Sequence, residues 1–109
     1  MSIIDMIDIT GRSNMSEQLI NKWNSIVPIL KEKYVENEVE ITGNVAYKYK
    51  HDFVGLLISL GVPLEFTYPH VVANGYASSI EYDGKLMKIK IINQNKLNLF
   101  LTQFLQDIS

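Results

Sequence analysis

The chain has 109 residues, of which 47% are hydrophobic and 20% charged, and its formal net charge is -2. This length suits one domain with a hydrophobic core, and the apolar fraction argues against wholesale disorder. The absence of cysteine excludes disulfides, thiolate metal ligands and a cysteine nucleophile. The mildly acidic balance argues against a surface built mainly to neutralise phosphates.

The N-terminal stretch 1–14 is predicted to be an arm outside a single α+β domain that spans residues 15–109. It is rich in isoleucine but carries Asp5 and Asp8 and no early lysine or arginine, unlike a secretory signal. No apolar run approaches the roughly 20 residues that cross a bilayer. We therefore expect a soluble, cytoplasmic protein without a membrane partner. The composition would also suit a phage protein, placed in the virion or host cytoplasm.

The first long helix is predicted over 17–34, because apolar residues recur there at spacings of three and four. Ser16 is a suitable N-cap for this helix, and Pro28 is expected to bend it. The apolar face consists of Leu19, Ile20, Trp23, Ile26, Val27, Leu30 and Tyr34.

A second helix is predicted from Asn44, as its N-cap, to just before Gly61, with Pro63 beyond. The alternation of Val45, Tyr47 and Tyr49 would also suit a strand, so the first turns stay open. The acidic segment 36–40 between the two helices is predicted to be a loop with a short strand at most. The apolar stripe of the second helix is Ala46, Tyr49, Phe53, Leu56, Leu57 and Leu60.

The stretch from Tyr68 to Ile92 is predicted to be a three-stranded antiparallel meander. Asn74-Gly75 and Asp83-Gly84 are both typical of the two-residue turns that connect hairpin strands. Pairing across the second turn places the apolar residues on one face and the lysines on the other. Pro69 is compatible with an edge strand or a bulge. The apolar face is Tyr76, Ile80, Tyr82, Met87, Ile89 and Ile91.

The last element is predicted to be a C-terminal helix capped by Asn95 and packed on the sheet. Its stripe consists of Leu97, Phe100, Leu101, Phe104, Leu105 and Ile108. The predicted fold class is therefore α+β, with two N-terminal helices, a three-stranded antiparallel meander and a C-terminal helix that covers it.

The residues that carry chemistry form no recognisable catalytic motif. His51 and His70 are the two histidines, and neither belongs to an HExxH motif or a pair at helical spacing. The alternating Glu36, Glu38 and Glu40 are more typical of a solvated segment than of a metal site. No glycine-rich phosphate loop or GxSxG elbow is present. We expect no enzymatic activity, no cofactor and no metal.

A nucleic-acid-binding function is the alternative hypothesis. The order of helix, short strand, helix and hairpin resembles the winged-helix family, and the resemblance implies a DNA-binding regulator whose wing carries Lys85, Lys88 and Lys90. The segment in the recognition position, 63–73, has no lysine or arginine, whereas base reading needs donors in the major groove. The end of a LysM module is similar to the Asn74-Gly75-Tyr76 and Gly84-Lys85-Leu86 segments, and this similarity would make 68–73 a helix; it covers less than half of the chain.

The leading hypothesis is a small protein–protein interaction module that acts as an assembly component, adaptor or inhibitor. Its partner would be another protein or a second copy of the chain. The isoleucines of the arm are too many to leave in water, and aromatic residues are predicted on an edge strand. The residues assigned to partner binding are Ile3, Ile4, Ile7, Ile9, Phe66 and Tyr68.

Overall fold

The computed structural model of the chain describes residues 17–108, with side chains described over 17–106. The predicted arm, including Ile3, Ile4, Ile7 and Ile9, lies outside these residues, so the division at residue 14 stays a prediction. The elements are α1 (Glu17–Lys33), β1 (Val35–Glu40), α2 (Gly43–Lys48), α3 (Phe53–Ser59), the 3-10 turn Leu64–Phe66, α4 (Thr67–Ala73), the 3-10 turn Ser79–Glu81, β2 (Lys88–Ile92) and α5 (Gln94–Ile108).

The predicted three-stranded meander is wrong. Over residues 17–108 the chain forms five α-helices and a single two-stranded antiparallel sheet, in which β1 pairs with β2. Asn74-Gly75 ends α4 instead of joining two strands. Gly75 has a φ of 99°, and the amides of Gly75 and Tyr76 donate to the carbonyls of Val72 and Val71 at 3.0 and 3.1 Å. This pair of bonds is a Schellman helix end, which needs the same left-handed glycine that a hairpin turn does.

The second predicted hairpin fails because Asp83-Gly84 turns against α2. The Asp83 carboxylate accepts a hydrogen bond from the Lys85 amide at 3.0 Å, and Gly84 has a φ of 79°. A Cβ atom on Gly84 would lie 3.2 Å from the Ala46 carbonyl oxygen, so the turn is held close to α2. The following strand therefore pairs with the acidic β1, with Val39 opposite Ile89.

The two predicted N-terminal helices become one long helix and two short ones. The helix predicted over 17–34 is present as α1, with Pro28 inside it. The second is interrupted at His51, whose φ of 66° cannot continue a helix. Thr42 caps α2 by accepting from the Val45 amide, so Asn44 is not the N-cap, and Asp52 caps α3 by accepting from the Gly55 amide at 3.0 Å.

The core is built around α4, which contacts α1, α3 and β2. Trp23 of α1 meets Phe66 edge to face, with ring centroids 6.4 Å apart. The predicted C-terminal helix is present as α5, and Leu97, Leu101 and Phe104 of its stripe are buried. Within the part of the chain that the structure describes, no helix combines the length and apolar character that crossing a membrane requires.

Candidate docking surfaces

The aromatic residues predicted to contact a partner lie inside the core. Phe66 and Tyr68 are 1% and 3% exposed, and they belong to the entry of α4, so their predicted edge strand is wrong. Pro69 fits this helix because it occupies the first turn, where its missing N–H has no partner within the helix. The Tyr68 hydroxyl reaches a shallow surface depression and donates to Asn24 Oδ1 at 2.9 Å. Neither ring offers contact area to a partner in this conformation.

The lysines of the nucleic-acid hypothesis do not form a hairpin wing. Lys85 lies in the loop before β2, whereas Lys88 and Lys90 lie on β2 opposite Glu40 and Glu38. Cross-strand neighbours of opposite charge weaken the positive potential that phosphate binding needs. The segment in the recognition position, 63–73, comprises the 3-10 turn Leu64–Phe66 and α4, and most of it is buried, so it is not available to enter a groove of DNA. Over residues 17–108, the hairpin wing and the exposed recognition segment that the DNA-binding alternative needs are therefore not formed.

An exposed apolar groove lies between α3 and the turn Ser79–Glu81. Its volume is about 350 Å³. Two isoleucines that face it, Ile58 and Ile80, are 48% and 62% exposed. We call this surface the α3 groove; it is lined by His51, Asp52, Val54, Gly55, Ile58, Ser79 and Ile80. Sequence reasoning missed it, because Ile80 was predicted to face the core side of a hairpin.

The α3 groove contains the residue types of a serine hydrolase, but their contacts are structural. The Asp52 carboxylate caps α3 through the Gly55 amide, and a Cβ on Gly55 would collide with that carboxylate. Ser79 is 2% exposed, and its hydroxyl oxygen accepts from the Val54 amide at 2.9 Å. A nucleophile must reach substrate and a base, and these two groups instead satisfy the free amides of a helix start.

His51 orders the floor of the α3 groove. Among the described residues, His51 is the one residue other than glycine that has a positive φ, and this conformation costs about 1–2 kcal/mol. Its amide donates to the Tyr82 carbonyl at 2.7 Å, and its Nδ1 lies 3.0 Å from the Ile80 carbonyl oxygen. These bonds hold the turn that carries Ile80 beside α3, so the groove has a defined shape.

The outer edge of β2 is covered by the side chains of His70, in α4, and of Asn74, the residue that caps the end of this helix. The Asn74 amide group accepts from the Lys90 amide at 2.8 Å and donates to the Lys90 carbonyl at 3.1 Å. His70 Nε2 accepts from the Ile92 amide at 3.0 Å. His70 and Asn74 are four residues apart, so one helix face supplies both groups. We call this the covered edge of the sheet.

The contacts of His70 define its protonation state. The Ile92 amide is only a donor, so Nε2 must be the acceptor and Nδ1 carries the proton that is donated to the Phe66 carbonyl at 2.8 Å. His70 is 2% exposed. Burial lowers the pKa of His70 from its usual 6.5, and the bond to Phe66 opposes that shift. A second proton, on Nε2, would place its N–H against the N–H of Ile92, and neither group could accept. Neutral His70 therefore acts as a structural link between α4 and β2.

The outer edge of β1 has no such cover within the described residues. The Ile41 amide donates to the Met87 carbonyl, so the backbone groups of Asn37 and Val39 are the ones that point to β2 in the antiparallel ladder, up to the register shift between Val35 and Asn37. The amides and carbonyls of Glu38 and Glu40 consequently point away from the sheet. Both side chains are exposed, as is that of Glu36. We call this the open edge.

The sequence contained one signal for the covered edge that the strand assignment concealed. His70 and Asn74 lie about one turn apart, roughly 6 Å along the axis, if the segment is helical, whereas in a strand they would be about 13 Å apart and could not both reach a short stretch of β2. Over the described residues, no group of three or more histidine, aspartate or glutamate side chains is arranged to hold a metal ion.

Comparison with protein-family models, with curated proteins and with solved structures found no match for this chain. Its function is therefore argued from its own residues.

Proposed function

We propose that this chain is a non-enzymatic protein-binding module that serves as an assembly component or adaptor, with the α3 groove as its docking surface. The observation that supports this proposal most is the pair of exposed isoleucines, Ile58 and Ile80, that line one groove. Exposed apolar side chains are ordinary when scattered, but adjacent ones in a concavity are typical of interaction sites.

The physical gain on docking comes from removing these side chains from water. Full burial of an isoleucine side chain contributes about 1.5–3 kcal/mol, and roughly half of each side chain is still exposed here. The hydrogen bonds of His51 hold the groove in shape before a partner arrives, so little ordering cost is expected at its floor.

The contacts of Ser79 and Asp52 support the non-enzymatic part of the proposal. Both side chains are used to cap α3, so the Ser79 hydroxyl oxygen and one carboxylate oxygen of Asp52 already accept hydrogen bonds. An interaction surface with satisfied polar groups and exposed apolar ones favours binding over catalysis.

The test uses the full chain with a photo-crosslinking residue at position 80, in cells that express the chain naturally. Position 29 is the matched control, because Ile29 of α1 is 50% exposed and does not line the groove. We expect a discrete crosslinked product, either with a second copy or with another protein, from position 80 and not from position 29. Equal or absent crosslinking at the two positions would overturn the proposal.

Substitution gives an independent measurement. With the crosslinking residue at position 80, Ile58→Lys should abolish the crosslinked product, and with it at position 58, Ile80→Lys should do the same. Ile29→Lys should leave both products unchanged. Since all three positions are about half exposed or more, folding should be retained in each, which circular dichroism checks.

A further inference from the structure

The open edge of β1 is a strand edge with unpaired backbone groups. Glu38 and Glu40 turn their amides and carbonyls away from β2, and no described residue pairs with them. Such an edge is a template on which another extended chain can add as a strand. The covered edge on the far side of the sheet offers no equivalent, because His70 and Asn74 occupy it.

Charge limits which chain can add there. Glu36, Glu38 and Glu40 are all exposed along this strand. A second copy paired edge to edge would place glutamates against glutamates, and like charges directly opposite each other are destabilising. Within the sheet, β1 already pairs with opposite charges, because Lys88 and Lys90 of β2 lie opposite Glu40 and Glu38. The open edge therefore favours a basic strand.

We propose that the open edge of β1 binds an extended basic segment of a partner protein by strand addition. The inference rests on the protein-binding function proposed above, but it uses a surface other than the α3 groove and names the chemistry of the partner. The segment carries lysine or arginine at alternate positions, which face Glu38 and Glu40. Apolar residues between them extend the face on which Val39 lies.

The backbone supplies most of the affinity in this arrangement, and the charges select the partner. The added strand would lie about 4.8 Å from β1 and pair with the amides and carbonyls of Glu38 and Glu40. Each cross-strand pair between a lysine and a glutamate makes a small favourable contribution.

The probe is a capped synthetic peptide in which lysine and valine alternate, and the control peptide has glutamate in place of lysine. Amide hydrogen exchange on the full wild-type chain is measured with each peptide. In the free chain we expect fast exchange at Glu38 and Glu40 and slow exchange at Val39, whose amide faces β2. The lysine peptide should slow exchange at Glu38 and Glu40, and the glutamate peptide should not.

Two variants separate the backbone from the charges. Glu38→Pro removes an amide that β2 does not use, and proline is tolerated on edge strands, so we expect at least a tenfold loss of peptide affinity with the fold retained. The double change Glu38→Gln and Glu40→Gln keeps both amides, and we expect a loss on the order of tenfold from the charges alone. If Glu38→Pro fails to fold, wild-type amide exchange decides the question.

Three results would overturn the proposal. Slow exchange at Glu38 and Glu40 in the free chain would mean that the edge is already covered. Equal binding of the two peptides would remove the charge argument, and unchanged affinity in a folded Glu38→Pro variant would remove the backbone argument. Ile80→Lys tests the α3 groove and should leave peptide binding unchanged, so failure of the groove proposal is distinguishable from failure of this one.

Discussion

The two edges of the small sheet are treated in opposite ways. The β2 edge is covered by His70 and Asn74, which provide hydrogen-bonding groups where a third strand would otherwise lie. The β1 edge exposes the backbone of Glu38 and Glu40 behind a row of carboxylates. One edge is therefore part of the core, and the other belongs to the surface.

The difference shows how a two-stranded sheet is stabilised when it has no third strand. An isolated two-stranded sheet is marginal in water. Here β2 is anchored to the central helix by side chains that satisfy its outward backbone groups, whereas β1 makes most of its contacts with β2 and only a few with α1. The same difference predicts that substitutions at the two edges will have very unequal effects on stability.

The largest effect is expected for His70→Ala. This substitution leaves the buried Ile92 amide without its partner, removes the side-chain bond to the Phe66 carbonyl and creates a cavity beside β2. A buried unsatisfied donor costs about 1–3 kcal/mol and the lost packing adds to it, so we expect a loss of about 3–4 kcal/mol in the free energy of unfolding. Urea denaturation measures it, and a loss below about 1 kcal/mol would contradict the role of His70.

A smaller loss is expected for Asn74→Ala. The side chain bonds both the amide and the carbonyl of Lys90, but it is only partly buried, so water can replace some of these bonds. We expect destabilisation of about 1–2 kcal/mol in the same urea titration. Faster amide exchange at Lys90, with no change at Val39, would identify the covered edge as the site of the effect.

Acid is expected to weaken the covered edge through His70. Its pKa is lowered in the folded state by burial, so the unfolded chain takes up a proton before the folded chain does. The stabilising contribution of neutral His70 is present above the unfolded value of 6.5 and is lost as the pH falls below it toward the lowered folded value. The free energy of unfolding, measured by urea denaturation, should therefore fall as the pH falls below 6.5, with a slope of at most one proton.

His70→Gln is the control for the acid effect, since glutamine does not titrate. The part of the pH dependence that His70 causes should disappear in this variant, whatever its overall stability. An unchanged slope would assign the acid sensitivity to other groups. Nitrogen chemical shifts of the imidazole in the folded wild type should show the neutral form with the proton on Nδ1.

The smallest effect is expected for Glu38→Ala on the open edge. The side chain is exposed and its outward backbone groups stay in water, so we expect a change below about 0.5 kcal/mol. This variant is the matched control for Asn74→Ala, because each residue lies at one edge of the same sheet. A loss as large as that of Asn74→Ala would mean that the two edges do not differ as described.

Local patterns predicted the two long helices well. Residues 17–34 and the stripe from Leu97 to Ile108 repeat with helical spacing over enough turns that one periodic signal dominates. The stretch from Tyr68 to Ile92 did not have that advantage. Its two glycine turns fit a hairpin and a helix end equally well, because both need positive φ, and the alternation of β2 specifies a strand without specifying its partner.

The candidate surfaces were harder to predict than the elements. The α3 groove depends on Ile80 being held beside α3 by His51, a contact between residues far apart in the chain. The open edge follows from the pairing of β2 with an acidic segment for which the sequence predicts a loop with a short strand at most. Both surfaces are consequences of long-range contacts, and neither leaves a motif at fixed spacing.

The amino-acid sequence by itself determined the single small core, the amphipathic faces of α1 and α5, and the positions where the chain must turn. These features depend on side-chain polarity and backbone preference over a few neighbouring residues. Only the tertiary structure decided that β2 pairs with β1, that His70 and Asn74 cover one edge, and that the other edge stays open. The reason is that the backbone of β2 can form hydrogen bonds with any extended segment. Its partner is therefore selected by the whole fold, which must bury α4 and leave the glutamates of β1 in water.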